Sequence, residues 1–300
     1  MNKQSKAFGP GLIILAGIFW GSMGLFVRTL RRYGFSSIQI TSVRLTFAAV
    51  FFVLLVLWKD PKGFRIRLKD IPLFLGLGIV SVLFFTVCYF TAIDMMPLST
   101  AAILLYTSPI WVMLLSILVF REKLSGRKLL ALILAFGGCV FVSGISGGGL
   151  SAEGLLVGLG AGLGYGLYSI LGTIALRRHS PFTVTAYTFL IAAVGSWFIS
   201  HPMDILSRLS AAPSPVGLFF FFILTALVTA VVPFLSYTLG LQTVEASKAA
   251  ILATIEPLVA TVLGILAFNE ALTLSAFLGI LLILSAVVIL NLPGRKGDQT

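Results

Sequence analysis

Long apolar runs separated by short polar connectors dominate the chain. Each run has roughly 20 residues, the length that an α-helix needs to cross the hydrocarbon core of a bilayer. The longest polar connector, Lys59 to Asp70, has only about a dozen residues, which is too short to form a separate soluble domain. The pattern predicts ten transmembrane helices, at about residues 8–30, 36–58, 71–93, 97–120, 127–145, 152–176, 181–200, 216–240, 246–268 and 273–292.

The composition agrees with this fold class. Of the 300 residues, 58% are hydrophobic and only 10% are charged, whereas soluble domains carry roughly 25% charged residues. A soluble protein of this size could not bury so much apolar surface, but lipid accommodates it. The first run is too long for the apolar core of a signal peptide and ends in Arg31-Arg32, so we interpret it as a membrane helix. The sequence therefore predicts an all-α integral membrane protein.

Basic residues are distributed unevenly between the two sides of the predicted membrane. The chain carries 21 Lys and Arg against 10 Asp and Glu, a formal net charge of +11. With the N-terminus inside, 16 of the basic residues fall on the inner side, 4 on the outer side and Arg44 within a span. This bias is the positive-inside pattern, so we interpret the charge as a topology signal and not as affinity for nucleic acid. We expect a multi-pass protein of the plasma membrane, in a bacterium the inner membrane, with both termini cytoplasmic.

The two halves of the chain repeat each other. A shift of 148 residues aligns Tyr89–Leu124 with Tyr237–Leu272, and 13 of the 36 aligned positions are identical. Each half contains five spans, an odd number, so the second half crosses the membrane in the opposite direction. We therefore divide the chain into residues 1–146 and 147–300, two inverted five-helix repeats. Such repeats are typical of secondary transporters with a site near the midplane.

The sequence resembles the drug/metabolite transporter superfamily, specifically its EamA-type branch, over essentially the whole chain. The resemblance rests on the ten-span layout, the repeat, the stretch Val43–Ala49 with its early arginine, and an apolar run that follows a proline and closes with Glu and Leu, at Pro109–Leu124 and Pro257–Leu272. It implies an exporter of amino acids or other metabolites. It also implies that spans 1–4 and 6–9 surround a central cavity while spans 5 and 10 lie outside it.

Two charged residues inside spans are the first candidates for a binding site, because such residues are rare in membranes and often functional. Glu256 lies about ten residues into span 9, hence roughly 15 Å deep, and precedes Pro257. Its carboxyl group could bind a substrate amine or a proton, or it could cap the kinked backbone; its repeat partner is the neutral Ser108. Arg44 could bind a carboxylate, pair with an acidic residue, extend to the interface or play a structural or gating role.

Aromatic residues in the middle of spans are candidates for the wall of a cavity, since their ring faces can hold a cationic or apolar solute. Simple packing or lipid contact is the competing interpretation. Prolines inside spans predict kinks where gates could form. The aromatic candidates are Trp20, Tyr106, Trp111, Tyr165 and Tyr168, and the kink candidates are Pro109, Pro233 and Pro257.

Several other residues have structural interpretations. Glu122 and its repeat partner Glu270 close spans 4 and 9, where we expect them to anchor the following turn. Glu245 and Lys248 are three residues apart, as in an ordinary helix-surface pair. The run Phe219–Phe222 is interpreted as lipid-facing. Two glycine stripes predict close helix packing, at Gly17 and Gly21 in span 1 and at Gly154, Gly158, Gly162 and Gly166 in span 6.

Motifs for other kinds of chemistry are absent from the sequence. It has no phosphate-binding G-x-x-x-x-G-K-[ST] stretch and no H-E-x-x-H motif. We therefore expect no enzyme, catalytic residue, cofactor or metal. The leading hypothesis is a secondary-active transporter of small metabolites, with amino acids or related compounds favoured, that exchanges or co-transports protons or a counter-substrate. A drug or cation exporter of the same fold, and a passive pore or interaction subunit, are the alternatives, and a homodimer is left open.

Overall fold

The computed structural model describes residues 3–144, 151–269 and 271–292. Over these ranges the chain is helical and has no β-strand. Ten helical segments in the described part are long and apolar enough to cross a membrane, which confirms the predicted all-α fold class. Their bounds, numbered below as spans 1 to 10, lie within about three residues of the predicted ones: Phe8–Arg32, Ser37–Lys59, Leu68–Met95, Leu98–Phe120, Gly126–Ser143, Ala152–Ala175, Pro181–Ser200, Pro215–Gly240, Ala246–Phe268 and Leu274–Asn291.

Breaks and changes of pitch divide several of these spans into shorter helices. Spans 3 and 8 each contain a π-helical segment, Gly76–Phe84 and Leu227–Val231. One short 3₁₀ turn, Pro61–Phe64, lies in the connector after span 2, and another, Leu68–Asp70, begins span 3. The α-helices are α1 (Lys3–Gly21), α2 (Met23–Arg32), α3 (Ser37–Lys59), α4 (Ile71–Leu75), α5 (Phe85–Met95), α6 (Leu98–Leu105), α7 (Ser108–Phe120), α8 (Gly126–Ser143), α9 (Ala152–Ala175), α10 (Pro181–Ser200), α11 (Pro202–Ser210), α12 (Pro215–Ala226), α13 (Val232–Gly240), α14 (Ala246–Leu252), α15 (Ile255–Phe268) and α16 (Leu274–Asn291).

Hydroxyl side chains begin several spans and support their irregular segments. Ser36 caps α3 by accepting a hydrogen bond from the backbone N–H of Gln39, whose side chain bonds back to the N–H of Ser36. At the π-helical segments, Ser81 donates to the carbonyl of Leu77 and Thr229 to that of Thr225. Because lipid offers no hydrogen-bond partner, these hydroxyls help to satisfy backbone carbonyls where the helix departs from α geometry.

The irregular features recur at the repeat spacing of 148 residues. Span 4 breaks at Tyr106 and span 9 at the equivalent Thr254. The same two spans end on residues with left-handed backbone conformation, Arg121 with φ 56° and Asn269 with φ 54°. Local backbone geometry therefore repeats along with the sequence.

The pairing of the spans is unchanged when the two halves are exchanged. Span 1 packs against spans 8 and 9, and its counterpart, span 6, packs against spans 3 and 4. Spans 2 and 7, 5 and 10, and 4 and 9 pair with their own counterparts. A two-fold relation between the halves requires this pattern. The division into two inverted repeats remains a prediction, which the pairing supports; its boundary near residue 146 lies outside the described residues.

Both glycine stripes lie where two helices approach closely. A Cβ atom at Gly21 would come within 2.6 Å of the carbonyl oxygen of Glu256 in span 9, and one at Gly162 within 2.6 Å of the carbonyl oxygen of Leu104 in span 4. Side chains at these positions would force the backbones apart. The stripes therefore fix the contacts of span 1 with span 9 and of span 6 with span 4.

Two interpretations of surface residues are corrected. In the run Phe219–Phe222, Phe219 and Phe220 are exposed, but Phe222 is buried against Phe35 at a centroid distance of 5.1 Å, because a helix distributes four consecutive residues over all its faces. Glu245 forms its ion pair with Lys128 in the other half, at 2.5 Å, instead of with Lys248. The partner is distant in sequence, so spacing along one helix could not reveal it.

Glu122 anchors more than the turn that follows it. Its carboxylate lies 3.3 Å from Nζ of Lys128 and accepts a hydrogen bond from Ser247 in the second half. These partners differ from the basic residues that lie nearest to Glu122 in the sequence, Arg121 and Lys123. Its repeat partner Glu270 lies outside the described residues.

The tight contact between spans 5 and 10 yields a matched test of close packing. A Cβ at Gly138 would lie 2.8 Å from the carbonyl oxygen of Gly279, whereas one at the adjacent Gly137 would meet nothing within 4 Å. We expect Gly138→Ala to lower the free energy of unfolding by roughly 1–3 kcal/mol through overpacking. Gly137→Ala should be neutral or slightly stabilising, because alanine favours helix. Thermal unfolding of both variants in the same detergent measures the difference, and equal melting temperatures would contradict the assigned contact.

Candidate functional site

A narrow cavity lies in the middle of the bundle. Its volume is about 20 Å³, room for about one water molecule, so this conformation encloses no metabolite-sized chamber at that point. Spans 1, 3, 4, 6, 8 and 9 supply the lining. Of the eight spans that the family resemblance placed around the cavity, spans 2 and 7 contribute none of the lining residues, and neither do spans 5 and 10. The lining residues are Trp20, Ser81, Phe85, Ser108, Val112, Tyr165, Gly166, Tyr168, Ser169, Phe234, Tyr237, Ala250 and Ala253.

Aromatic rings form one wall of this cavity. Trp20 of span 1 packs against Phe234 and Tyr237 of span 8, at centroid distances of 5.1 and 5.3 Å. Tyr165 and Tyr168 of span 6 complete the group, with Tyr165 6.0 Å from Trp20 and Tyr168 5.1 Å from Phe234. Most of these pairs are edge-to-face, the arrangement that the ring quadrupoles favour. Three of the aromatic candidates, Trp20, Tyr165 and Tyr168, therefore lie together on the cavity.

Hydrogen bonds between spans 6 and 8 fix the orientation of two of these rings. The phenol of Tyr168 lies 2.7 Å from the hydroxyl of Thr238, and that of Tyr237 lies 2.7 Å from the hydroxyl of Ser169. All four residues are buried. Since buried polar groups without partners are costly, these paired hydroxyls hold the rings at the wall in one arrangement.

Glu256 stands at the break in span 9 and points toward span 6. It is the second residue of α15, directly after the interruption at Ala253–Thr254, and its side chain is partly exposed. The phenol of Tyr165 donates a hydrogen bond to its Oε2 at 3.0 Å. The side chain thus bonds to another span and does not cap its own kinked backbone in the described structure. A hydrogen-bonded carboxyl group deep in the bundle is suited to bind a cation or a proton.

Arg44 is buried without an acidic partner in contact. Its residue is only 5% exposed, so its guanidinium does not extend to the interface. Nη1 donates to Sδ of Met23 at 3.0 Å, a weak acceptor, and Nε has no hydrogen-bond partner. No carboxylate within the described residues lies close enough for an ion pair with Arg44, although its charge and that of Glu256 attract each other at longer range. A buried guanidinium in this setting lacks the close counter-charge that normally offsets its desolvation.

The remaining candidates, like Glu256 and Arg44, are not among the cavity-lining residues. Tyr106, at the break in span 4, is partly buried and within electrostatic range of Glu256. Trp111 is not among the cavity-lining residues, and its buried Nε1 has no hydrogen-bond partner. The three prolines each lie in the first turn of a helix that follows an irregular segment, at the starts of α7, α13 and α15. Their role as gates stays a prediction.

Part of the cavity wall was not predicted from the sequence. Phe85, Phe234 and Tyr237 line it but were not among the candidates. A signal existed for Tyr237, because the repeat aligns it with Tyr89, whose phenol also lies within electrostatic range of Glu256. Phe85 and Phe234 had no such signal, as they are two of 25 phenylalanines in the chain.

A family comparison identifies the class of protein that this architecture represents. The model of the EamA-like transporter family matches the chain twice, over residues 7–144 and 152–292. The chain belongs to this family. It is therefore a multi-pass membrane transporter and not an enzyme. The two matched segments correspond to the two predicted halves.

Individual relatives agree with this class. The chain is 30% identical over 283 residues to an uncharacterized transporter of Archaeoglobus fulgidus, covering 94% of this chain and 96% of the relative. It is 26% identical to the uncharacterized transporter YwfM of Bacillus subtilis, covering 95% and 94% of the two chains. The pseudopaline exporter CntI of Pseudomonas aeruginosa is 25% identical over 193 residues, covering 62% and 64%.

A solved structure shares the fold. This crystal structure superposes with a TM-score of 0.76 and covers 95% of this chain and 96% of its own, at 18% sequence identity. At that identity the likeness shows the fold alone.

The burial of Arg44 gives a test of whether it serves stability. We expect Arg44→Met to leave the thermal unfolding midpoint unchanged or to raise it, because an apolar side chain of similar length would replace a buried charge without a close partner. Trp20→Ala is the comparison, since removing this packed ring should destabilise by roughly 3–5 kcal/mol. Unfolding in one detergent measures both. A fall for Arg44→Met as large as that for Trp20→Ala would assign Arg44 a structural role.

Proposed function

We propose that this protein is a secondary-active exporter of small zwitterionic metabolites, amino acids or related compounds, which it moves by alternating access through the central cavity. The observation that carries the proposal is the pair of opposite charges, Glu256 and Arg44, held inside the bundle without a direct ion pair. A ligand with one ammonium and one carboxylate group would complement both.

Glu256 is the proposed acceptor for the substrate amine. Its Oε2 already accepts the hydrogen bond of Tyr165, which orients the carboxylate, and a carboxylate has further acceptor sites for an ammonium group. Trp20 and Phe85 pack on Tyr165 with centroid distances of 6.0 and 5.4 Å. The rings near Glu256 could also contact the cation through their faces.

Arg44 is the proposed donor for the substrate carboxylate. Guanidinium groups bind carboxylates through a pair of parallel hydrogen bonds, and among the described residues the guanidinium of Arg44 donates to a thioether. Binding of an anionic group would supply the close counter-charge that the buried guanidinium lacks. Because the cavity holds only about 20 Å³ in this conformation, substrate binding requires the spans that line it to separate.

Transport requires a source of energy and a membrane orientation, and both are part of the proposal. Protons or a counter-substrate drive the exchange, and Glu256 is the residue suited to carry a proton. The two halves are inverted repeats that exchange access between the two ends of the bundle. The protein lies in the plasma membrane with both termini in the cytoplasm, and export out of the cell has a parallel in the relative that is named an exporter.

An exporter of drug-like cations is the second candidate. The partly exposed Glu256 and the aromatic wall favour it, since a cation needs no carboxylate-binding group. The buried Arg44 argues against it, because a positive charge near the site repels a cationic substrate. A passive pore on the same scaffold would give flux that does not saturate.

The experiment is counterflow in proteoliposomes with pools of labelled amino acids and organic cations at two pH values. Saturable counterflow of amino acids, with a dependence on pH, is the expected result. Saturable counterflow of organic cations alone would favour the second candidate. Unsaturable flux would contradict a carrier.

Three substitutions refine this test. We expect Glu256→Gln to raise the KM for amino acids by about tenfold or more, the scale of a hydrogen bond to a charged group, and to reduce the pH dependence. Arg44→Gln should weaken amino-acid transport but not the counterflow of any cation lacking a carboxylate. Glu153→Gln, which changes an exposed glutamate in the first turn of α9, is the matched control. If Glu256→Gln alters neither transport nor its pH dependence, Glu256 has no part in either candidate function.

A further inference from the structure

The charged side chains at one end of the bundle connect the two halves of the chain. Because the spans alternate in direction, the connectors between spans 2 and 3, 4 and 5, 6 and 7, and 8 and 9 all lie at this end, which we call the basic end. Lys128 of span 5 forms an ion pair with Glu245, which precedes span 9, at 2.5 Å. It also lies 3.3 Å from Glu122, which in turn accepts a hydrogen bond from Ser247. We call these four residues the Lys128 clamp.

The Lys128 clamp lies where the spans that surround the cavity converge. Helix α14, which begins at the clamp, packs against α7 of span 4 and α9 of span 6 as well as against α1. The second helix of the same span, α15, packs against α1, α2, α8 and α16. Span 9 therefore packs against spans 4 and 6 mainly through its segment at the basic end, whereas α1, α8 and α16 contact both of its segments.

Other polar contacts at the basic end also join the two halves. Asp70 lies 3.7 Å from Arg178 and 3.3 Å from Nε2 of His179, although the latter contact is too poorly aligned for a hydrogen bond. Ser180 donates to Asp60 at 2.8 Å. These contacts join the connector between spans 2 and 3 to the connector between spans 6 and 7. The Lys128 clamp joins the other two connectors at this end, between spans 4 and 5 and between spans 8 and 9.

The two charged residues of the clamp's ion pair have uncharged residues at the equivalent positions of the repeat. Lys128 is the third residue after the N-cap of α8, and the equivalent residue of α16 is Ala276. Glu245 occupies the N-cap position of α14, and the equivalent N-cap residue of α6 is Pro97. Neither Ala276 nor Pro97 can carry a charge. In a bundle whose backbone pairing is two-fold symmetric, this ion pair is therefore a contact of the basic end that the equivalent positions at the opposite end do not reproduce.

We infer that the Lys128 clamp is a conformational device that holds the basic end closed and so biases the transporter toward the state whose cavity opens at the opposite end. Lys128 and Glu122 are only 13% and 9% exposed in their side chains, so this part of the clamp is shielded from water. Glu245 is 58% exposed. Because solvent screens that bond, the energy that holds the basic end closed is small enough for the protein to open it in each transport cycle.

Spin-label distance measurements in nanodiscs test the clamp without any substrate. The labels go on Lys123→Cys and Gln242→Cys, two exposed positions on the 4–5 and 8–9 connectors, after Cys88→Ser and Cys139→Ala remove the native thiols. Glu245→Gln removes the charge of the cross-half bond, and Glu245→Lys places two ammonium groups together. Since Glu245 is largely exposed, neither change disturbs packing.

The expected result is a second, longer distance population that grows from the parent to Glu245→Gln and again to Glu245→Lys. The ratio of open to closed populations should change by about two- to fivefold for Glu245→Gln, the range that measured exposed ion pairs allow. Glu153→Gln and Glu153→Lys, which make the same changes at an exposed position in the first turn of α9, should match the parent. Distance distributions that are identical in all variants, or shifts of equal size in the Glu153 controls, would overturn the proposal. Because the distance measurement uses no substrate, the clamp proposal can fail while the transport proposal holds. The transport proposal can likewise fail while the clamp proposal holds.

Discussion

The backbone hydrogen bond is the interaction on which the rest of this structure depends. Lipid supplies no partner for a free N–H or C=O group, so irregular backbone is tolerated inside a membrane only where protein or a cavity surrounds it. The breaks in spans 4 and 9 and the π-helical segments in spans 3 and 8 follow this constraint. Residues beside them, including Ser81, Phe85 and Ala253, line the central cavity. The constraint places the irregular segments, and with them Glu256, at the centre of the bundle.

The fold followed from the sequence because two strong signals agreed. Apolar runs of membrane-spanning length predicted all ten spans, and the match of Pro109 with Pro257 in the repeat located the breaks that the structure has beside them. Each run can be recognised from the residues of one span, and the repeat needs only the comparison of two such spans. Close packing at the glycine stripe through Gly162 could be predicted for the same reason, because a helix without side chains on one face allows a neighbouring helix to approach closely.

The site could be predicted only in part, because its partners are distant in the chain. Glu256 and Tyr165 were each recognisable as candidates, but no pattern indicated that they bond across 91 positions. Lys128 and Glu245 are more instructive. Spacing within one helix suggested Lys248 as the partner of Glu245, and the fold instead places Lys128 beside it. The energy of an exposed pair is small, so sequence proximity carries little weight against the geometry that the bundle imposes.

The π-helical segments have a consequence for how spans 3 and 8 present their side chains. A π turn closes its hydrogen bond one residue further along than an α turn, and one extra residue rotates everything that follows by about 100° around the helix axis. Phe85, Phe234 and Tyr237 all come after these segments and point to the cavity. A helical wheel that assumes 100° per residue throughout span 3 or span 8 therefore places these residues on the wrong face of the helix. The cavity-facing residues of these spans therefore form one continuous stripe in space, although their spacing in the sequence changes at the π-helical segment.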